Sequence, residues 1–261
     1  MTLRTLATLK TPNSPMERYG IIGKPLGHSF SRNYFTEFFQ RTGRDAVYEP
    51  YVLESIEEFP ALVAAHADFV GLNVTIPYKQ AVMRYLDAID PDAEAIGAVN
   101  VVKVTWADGR PFLTGYNTDI LGFTRSIRPL LRPHHTRALI LGTGGASKAV
   151  EHGLRQLGIE TMFVSRTRRE GILCYEDLTP EVMTRHGVVV NATPLGTFPD
   201  TECCPDIPYP LLTPRHLCFD LVYNPDKTLF LQKAEAQGAA IKNGLEMLHI
   251  QADEAWKIWS E

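Results

Sequence analysis

The stretch that most constrains this chain is Ala138-Leu139-Ile140-Leu141-Gly142-Thr143-Gly144-Gly145-Ala146-Ser147-Lys148-Ala149. A short apolar run ends at Gly142, a glycine-rich turn follows, and a helical pattern begins near Ala146. Gly142 permits the tight turn, and Gly144 and Gly145 let a backbone approach a ligand that a Cβ would block. N–H groups at the helix start are unpaired, and the helix dipole favours negative charge there, so the turn suits a pyrophosphate. Ser147 stands where the third glycine of G-x-G-x-x-G belongs, and a plain strand–helix connection would look much the same.

The flanking sequence favours the ligand-binding reading. Thr161-Met162-Phe163-Val164 reads as the next parallel strand and ends in Ser165-Arg166-Thr167-Arg168-Arg169. An acidic residue near this place would bind the adenosine ribose of NAD, but arginines stand here instead. Guanidinium groups suit a 2′-phosphate through bidentate, charge-assisted hydrogen bonds, so the expected cofactor is NADP. The plainer alternative is an exposed basic loop.

A chain of 261 residues is long enough for one large domain or two smaller ones. A net charge of −4 gives no reason to expect nucleic acid or an anionic membrane as partner. No apolar run approaches the roughly 20 residues that span a bilayer. Residues 1–15 lack an apolar h-region and read as a leader rather than a secretory signal. Cys174, Cys203, Cys204 and Cys218 lack C-x-x-C spacing and a matching histidine cluster, so no metal is expected and reduced thiols are the simpler reading. His134-His135 after Pro133 reads as a solvated turn.

In chain order, Tyr19–Gly23 reads as a strand and Ser29-Phe30-Ser31 opens a helix to about Thr42, with Phe35, Phe38 and Phe39 as its core stripe. A strand near 47–53, a helix over 56–66 and a strand over 69–74 follow. Pro77 suits the first turn of another helix, which would put Lys79 one turn in. This βαβα rhythm implies a parallel sheet. Segments 98–105 and 112–116 read as a strand pair joined by an Asp108-Gly109 turn. A helix over 119–131 leads into a second series with strands at 138–142, 161–165, 187–191 and 217–221. After the break at Asn243-Gly244, Leu245 to Trp259 is amphipathic helix. The boundary expected at 119–131 gives two α/β domains with a cleft between them.

Several blocks, in this order and at these spacings, resemble the shikimate dehydrogenase family. They are Gly27-His28-Ser29-Phe30-Ser31, Asn73-Val74-Thr75-Ile76-Pro77-Tyr78-Lys79, Gly97-Ala98-Val99-Asn100, Gly115-Tyr116-Asn117-Thr118-Asp119, Gly142 to Ser147, Asn191 to Gly196, Asp220 to Pro225 and Gly244 to Gln251. The resemblance implies a substrate domain over 16–118 plus 244–261, and a Rossmann-type, doubly wound NADP domain over 119–243. It also implies NADP-linked reduction of 3-dehydroshikimate to shikimate, a cytoplasmic step of aromatic biosynthesis, by a monomer or homodimer. Ser29, Ser31 and Tyr223 would hold the substrate carboxylate. Thr75, Asn100, Asp119 and Gln251 would address the ring hydroxyls, with Lys79 and Asp119 as the catalytic pair. Cofactor contacts would come from Gly142, Gly144, Gly145, Ala146, Ser147, Ser165, Arg166, Thr167, Thr193, Gly244 and Met247. The chain departs from the family pattern at Arg32, Thr143 and Ser165, none of which touches the catalytic set.

Each residue also has a plainer role. Ser29 and Ser31 could cap a helix, Lys79 could be solvated, and Asp119 could cap its own helix. Tyr223 could sit in a turn and Gln251 on a helix surface. What sets these residues apart is that all fall at carboxyl ends of strands or at the domain junction, where open α/β sheets bind ligands. Two alternatives remain at this point: a quinate/shikimate dehydrogenase of relaxed specificity using NAD, against which Ser31 counts, and a non-catalytic NADP-sensing module.

Overall fold

The computed structural model describes residues 16–26 and 30–261, so the readings made for residues 1–15 and for Ser29 lie outside it. The elements in order are β1 (Glu17–Gly23), α1 (Phe30–Thr42), β2 (Ala46–Val52), α2 (Phe59–Ala65), β3 (Phe69–Val74), β4 (Ala88–Ile89), α3 (Pro91–Ile96), β5 (Val101–Ala107), β6 (Arg110–Tyr116) and α4 (Asp119–Ile127). They continue with β7 (Arg137–Leu141), α5 (Gly145–Gln156), β8 (Glu160–Ser165), β9 (Leu173–Cys174), α6 (Pro180–Arg185), β10 (Val188–Asn191), β11 (Leu217–Asp220), α7 (Leu229–Ala236), β12 (Ala240–Lys242) and α8 (Leu245–Ser260).

These strands form two six-stranded sheets, ordered β2-β1-β3-β5-β6-β4 and β12-β11-β10-β7-β8-β9. Read from β9, the second is the 3-2-1-4-5-6 order of dinucleotide-binding sheets, all parallel, with the glycine-rich stretch on its first strand. The first sheet is parallel where the βαβα rhythm implies it and antiparallel beyond. Strand β1 runs parallel to β2 and β3, but β5 is antiparallel to both β3 and β6. The β5–β6 pair is the expected two-residue Asp108-Gly109 hairpin, in which both residues have positive φ, 51° and 74°. Such a turn returns the chain beside itself and leaves no room for a crossover.

Alternation along the strands divides each sheet into two cores. In the first, Ile22, Leu72 and Val102 face the layer of Phe59 and Val82, while Tyr19, Ile21 and Val101 face Phe35 of α1 and Trp259 of α8. The second sheet buries Leu139 and Leu141 against Phe230 and Leu231 of α7 on one face. On the other, Ala138 and Ile140 meet Phe123 of α4 and Val150 and Leu154 of α5. Helix α8 belongs to both units. Met247 at its start joins the second core, whereas Trp259 at its end donates its Nε1–H to the Val102 carbonyl at 3.0 Å in the first. Helices α4 and α8 pack closely because Gly122 has no side chain: a Cβ there would lie 2.6 Å from the Met247 carbonyl oxygen.

Two local readings also change. The segment around Pro77 is a pair of turns, closed by the Tyr78 N–H on the Thr75 carbonyl at 2.9 Å, and helical turns begin only at Ala81 as a 3-10 stretch to Tyr85. A proline fixes φ for a turn as well as for a first helical residue, so the local signal is ambiguous. His135 is 7% exposed, not solvated. Its Nδ1 accepts the Arg132 N–H at 3.0 Å and its Nε2 lies 3.0 Å from the Arg215 carbonyl, tying the approach to β7 to that of β11.

Candidate active site

The carboxyl ends of β3 and β6 and the start of β5 lie at one edge of the first sheet, and asparagines there add side-chain bonds to the backbone ladder. Asn100, 3% exposed, accepts the Thr118 N–H at 2.7 Å and donates to Asp119 Oδ1 at 2.9 Å. Asn117 accepts the Asp119 N–H at 3.1 Å and donates to the Ala98 carbonyl at 2.8 Å. The helix start at Asp119 is therefore served by Asn117, which leaves the Asp119 carboxylate free of a capping role. Its second oxygen lies 2.6 Å from Lys79 Nζ, and the Lys79 carbonyl is pinned by the Val99 N–H at 2.7 Å. Lys79 thus projects from a turn, not from the helix expected for it.

A second chain of contacts reaches the same point. The Ser31 hydroxyl hydrogen-bonds Tyr48, whose hydroxyl donates to Asn73 Oδ1 at 2.6 Å, and Asn73 donates to the Asn100 carbonyl at 3.3 Å. Ser31 faces inward because it shares a buried stripe with Phe35 and Phe39 at four-residue steps on α1. Burial pushes the Tyr48 hydroxyl well above its ordinary value, so it stays a donor. Gln251 is 7% exposed and its Nε2 donates to the Leu248 carbonyl at 2.9 Å, on the α8 face that packs against Gly122. Thr75 is half-buried against Gly23.

The glycine-rich turn meets this cluster from the other unit. A Cβ on Gly145 would lie 3.8 Å from the Lys79 side chain, while one on Gly144 would meet nothing within 4 Å. Gly142 has φ +103° at the turn itself. Ser147 is fully buried where α5 lies on the sheet, and its hydroxyl donates to the Gly144 carbonyl at 2.6 Å. Ser165 accepts the Thr167 N–H at 3.3 Å, which shapes the loop after β8. Within that loop Arg168 is held by Asp177 at 2.8 Å, while Arg166 is exposed and has no ion pair among the described residues.

Between the units lies a cavity of about 490 Å³, with Ile76 on one side and Ala146, Thr193, Phe198, Leu221 and Tyr223 on the other. Burial pushes the Tyr223 hydroxyl above its ordinary value, so it too stays protonated. Gly244 sits against the Leu221 carbonyl at the start of α8. Met247 lies in the second core rather than in this cavity. Tyr48, Asn73, Ile76, Phe198 and Leu221 are not among the site residues read from sequence. Tyr48 and Leu221 look like ordinary strand and loop residues, whereas Asn73 at a strand end was the one legible signal.

Residues 21–102 match the family model described as the shikimate dehydrogenase substrate binding domain. The NADP(+)-dependent shikimate dehydrogenase of Caldicellulosiruptor saccharolyticus is 35% identical, over 94% of this chain and 92% of its own. This chain belongs to the shikimate dehydrogenase family. Among solved structures, the family's Aquifex aeolicus enzyme superposes with a TM-score of 0.82 at 32% identity, over 95% of this chain and 94% of its own. The family's Thermus thermophilus enzyme, solved with NADP(H) and shikimate, gives 0.81 at 32% identity, over 94% of each chain. Family membership accounts for both sheets and for the return of α8.

Proposed function

We infer that this chain is an NADP-dependent shikimate dehydrogenase, interconverting shikimate and 3-dehydroshikimate in aromatic biosynthesis. The observation that carries the reading is the position of Lys79, paired with Asp119 on one side and 3.8 Å from the Gly145 Cβ position on the other. A proton-handling group therefore borders the turn that suits a dinucleotide. Open space at Gly144, the start of α5 and the exposed Arg166 all fit NADP. The 490 Å³ cavity between Ile76 and Thr193 is assigned to its nicotinamide end. When bound, NADP supplies the hydride chemistry.

The chain's own residues do the rest. Ser31 and Tyr223, with Ser29, are assigned to the substrate carboxylate, and Thr75, Asn100, Asp119 and Gln251 to the ring hydroxyls. Lys79 Nζ takes the proton of the reacting hydroxyl in oxidation and returns it in reduction, where negative charge gathers on that oxygen. Asp119 orients the ammonium, and Asn100 orients Asp119. Gly142, Gly145, Ala146 and Ser147 shape the phosphate cradle, and Ser165, Arg166 and Thr167 the adenosine end. Thr193, Gly244 and Met247 are assigned to its other end, Met247 through packing behind Gly244. Residues 16–118 with 244–261 form the substrate unit and 119–243 the cofactor unit. Among the described residues no helix is long and apolar enough to cross a membrane. A cytoplasmic monomer or homodimer is the setting that the family resemblance implies.

The test is purified protein offered shikimate or quinate, each with NADP+ or NAD+, followed by cofactor reduction. Fastest turnover of shikimate with NADP+ supports the assignment. Preference for quinate with NAD+ would move it to the relaxed-specificity branch, and no turnover would leave a binding module.

A further inference from the structure

Asn191 and Asp220 end adjacent parallel strands and face each other in register at the carboxyl end of the second sheet. Both are fully buried, as is Thr228. Asn191 Nδ2 donates to Asp220 Oδ1 at 2.9 Å, and each residue then holds the loop that follows its own strand. Asn191 Oδ1 accepts both the Thr193 N–H at 3.0 Å and the Thr193 hydroxyl at 2.6 Å. Asp220 Oδ1 accepts the Val222 N–H at 3.0 Å, and Oδ2 accepts the Thr228 hydroxyl, which itself caps α7. Thr193 and Val222 line the same cavity, one from each loop. A backbone bond from the Phe198 N–H to the Asn224 carbonyl, 3.0 Å, joins the loops further out.

Burying a carboxylate away from any cation is costly, and an apolar pair would fill the same space at lower cost. Here the carboxylate oxygen in question is the one atom shared by Asn191 and Val222, and so by both walls. We propose that Asn191 and Asp220 are positioning residues for the cofactor, their hydrogen bond setting the separation of the Thr193 and Leu221–Tyr223 walls. This rests on the reading of that cavity as the nicotinamide site.

The titratable groups facing Asp220 are the Cys218 thiol on its own strand and the Tyr209 hydroxyl from the 209–211 turn. Burial pushes the thiol up to about 12 and the phenol higher still, so both stay neutral. Lys233 lies 4.9 Å over the Tyr209 ring. Burial raises Asp220 itself to about 6, with its three hydrogen bonds opposing the rise. The ionised carboxylate accepts from all three donors, and protonation weakens the charge-assisted hold on Val222.

The experiment measures KM for NADP+ and for shikimate between pH 5.5 and 8.5, beside thermal unfolding, for the wild type and two variants. Asp220→Asn is isosteric and removes the charge; its amide oxygen can still accept from Asn191 and Val222, while its NH2 faces Thr228 as a donor. At pH 8 it is expected to raise KM for NADP+ about three- to tenfold, less than the roughly ten- to hundredfold of a lost charged hydrogen bond because the effect reaches the cofactor only through the Val222 wall. The ratio to wild type should fall toward one at pH 5.5, below the value of about 6 at which the wild-type carboxyl takes up its proton; taking the ratio cancels the cofactor's own titration. Asn191→Asp sets two carboxylates against each other and should raise KM about tenfold or more at pH 8. Recovery toward pH 6 is expected as the pair comes to share one proton. A merely structural role would lower melting temperature and active fraction while leaving the KM of the surviving enzyme unchanged. Normal wild-type turnover with variant KM values within about twofold, or equal rises for both substrates, overturns the positioning role alone. Absence of NADP+ turnover by the wild type overturns the underlying reading and this proposal with it.

Discussion

Lys79 Nζ lies 2.6 Å from Asp119 Oδ2, across forty residues of sequence, with side chains 15% and 10% exposed. The pair joins a turn after β3 to the first residue of α4, and both partners have their backbones fixed separately. Bonds from Val99 and to Asn117 hold the two backbones, and Asn100 fills the other carboxylate oxygen. Little freedom is left for the ammonium to lose when substrate arrives, which is the condition for a proton group to act without reorganisation.

Arg166 should carry the choice of cofactor. It follows β8 directly and has no ion pair among the described residues, while Arg168 is engaged by Asp177. Losing a hydrogen bond to a charged group costs on the order of 1.5–3 kcal/mol. Arg166→Ala is therefore expected to weaken NADPH about ten- to a hundredfold in a binding titration and to leave NADH nearly unchanged. Equal losses for both would remove Arg166 from the 2′-phosphate.

Gly144 separates ligand requirements from folding requirements. Its backbone is extended, with φ −77° and ψ −177°, and an added Cβ meets nothing within 4 Å. Gly144→Ala should leave thermal stability within roughly 0.5 kcal/mol of wild type, as surface substitutions generally do. NADP+ affinity should nevertheless fall severalfold or more, because the space belongs to the cofactor. Unchanged affinity would mean that the cofactor runs elsewhere.

His135 should make stability depend on pH. Its Nδ1 accepts the Arg132 N–H, which only the neutral ring can do, and burial holds its pKa below the ordinary value. The folded state therefore binds this proton less readily than the unfolded chain. The stabilisation is complete above about 6.5 and is lost as pH falls from there through the folded value. His186 is shifted in the same direction by burial. Asp220 acts oppositely, its contribution fading as pH rises toward about 6. His135→Gln, able to accept and donate but not to titrate, should show a smaller fall in melting temperature between pH 7 and 5. An identical fall would leave His135 without a part in it.

Much of this was legible in sequence because it is local. Gly142 to Ser147 announces a strand, a turn and a helix wherever it occurs, and Asp108-Gly109 announces a hairpin. Strands β4, β9 and β12 escaped because two or three residues carry no periodicity. The placing of Lys79 on a helix failed because Pro77 serves turns and helix starts alike. His135 reads as solvated until Arg215, eighty residues away, supplies the carbonyl it faces. Asp220 is the extreme case: nothing in Asp-Leu-Val-Tyr-Asn-Pro marks a carboxylate held without a cation, since burial is set by the neighbouring strand.

Lys79 moves the proton, and kcat of Lys79→Met tests that role most directly. Methionine keeps an unbranched stem of similar length and removes only the proton-carrying group. General acid–base steps are worth about 10²–10⁴ in rate. In Lys79→Met, kcat for shikimate oxidation with NADP+ is expected to fall by that order, with KM for shikimate and the melting temperature little changed. A variant that keeps near-wild-type kcat would contradict it, leaving Lys79 a binding residue and the proton to another group.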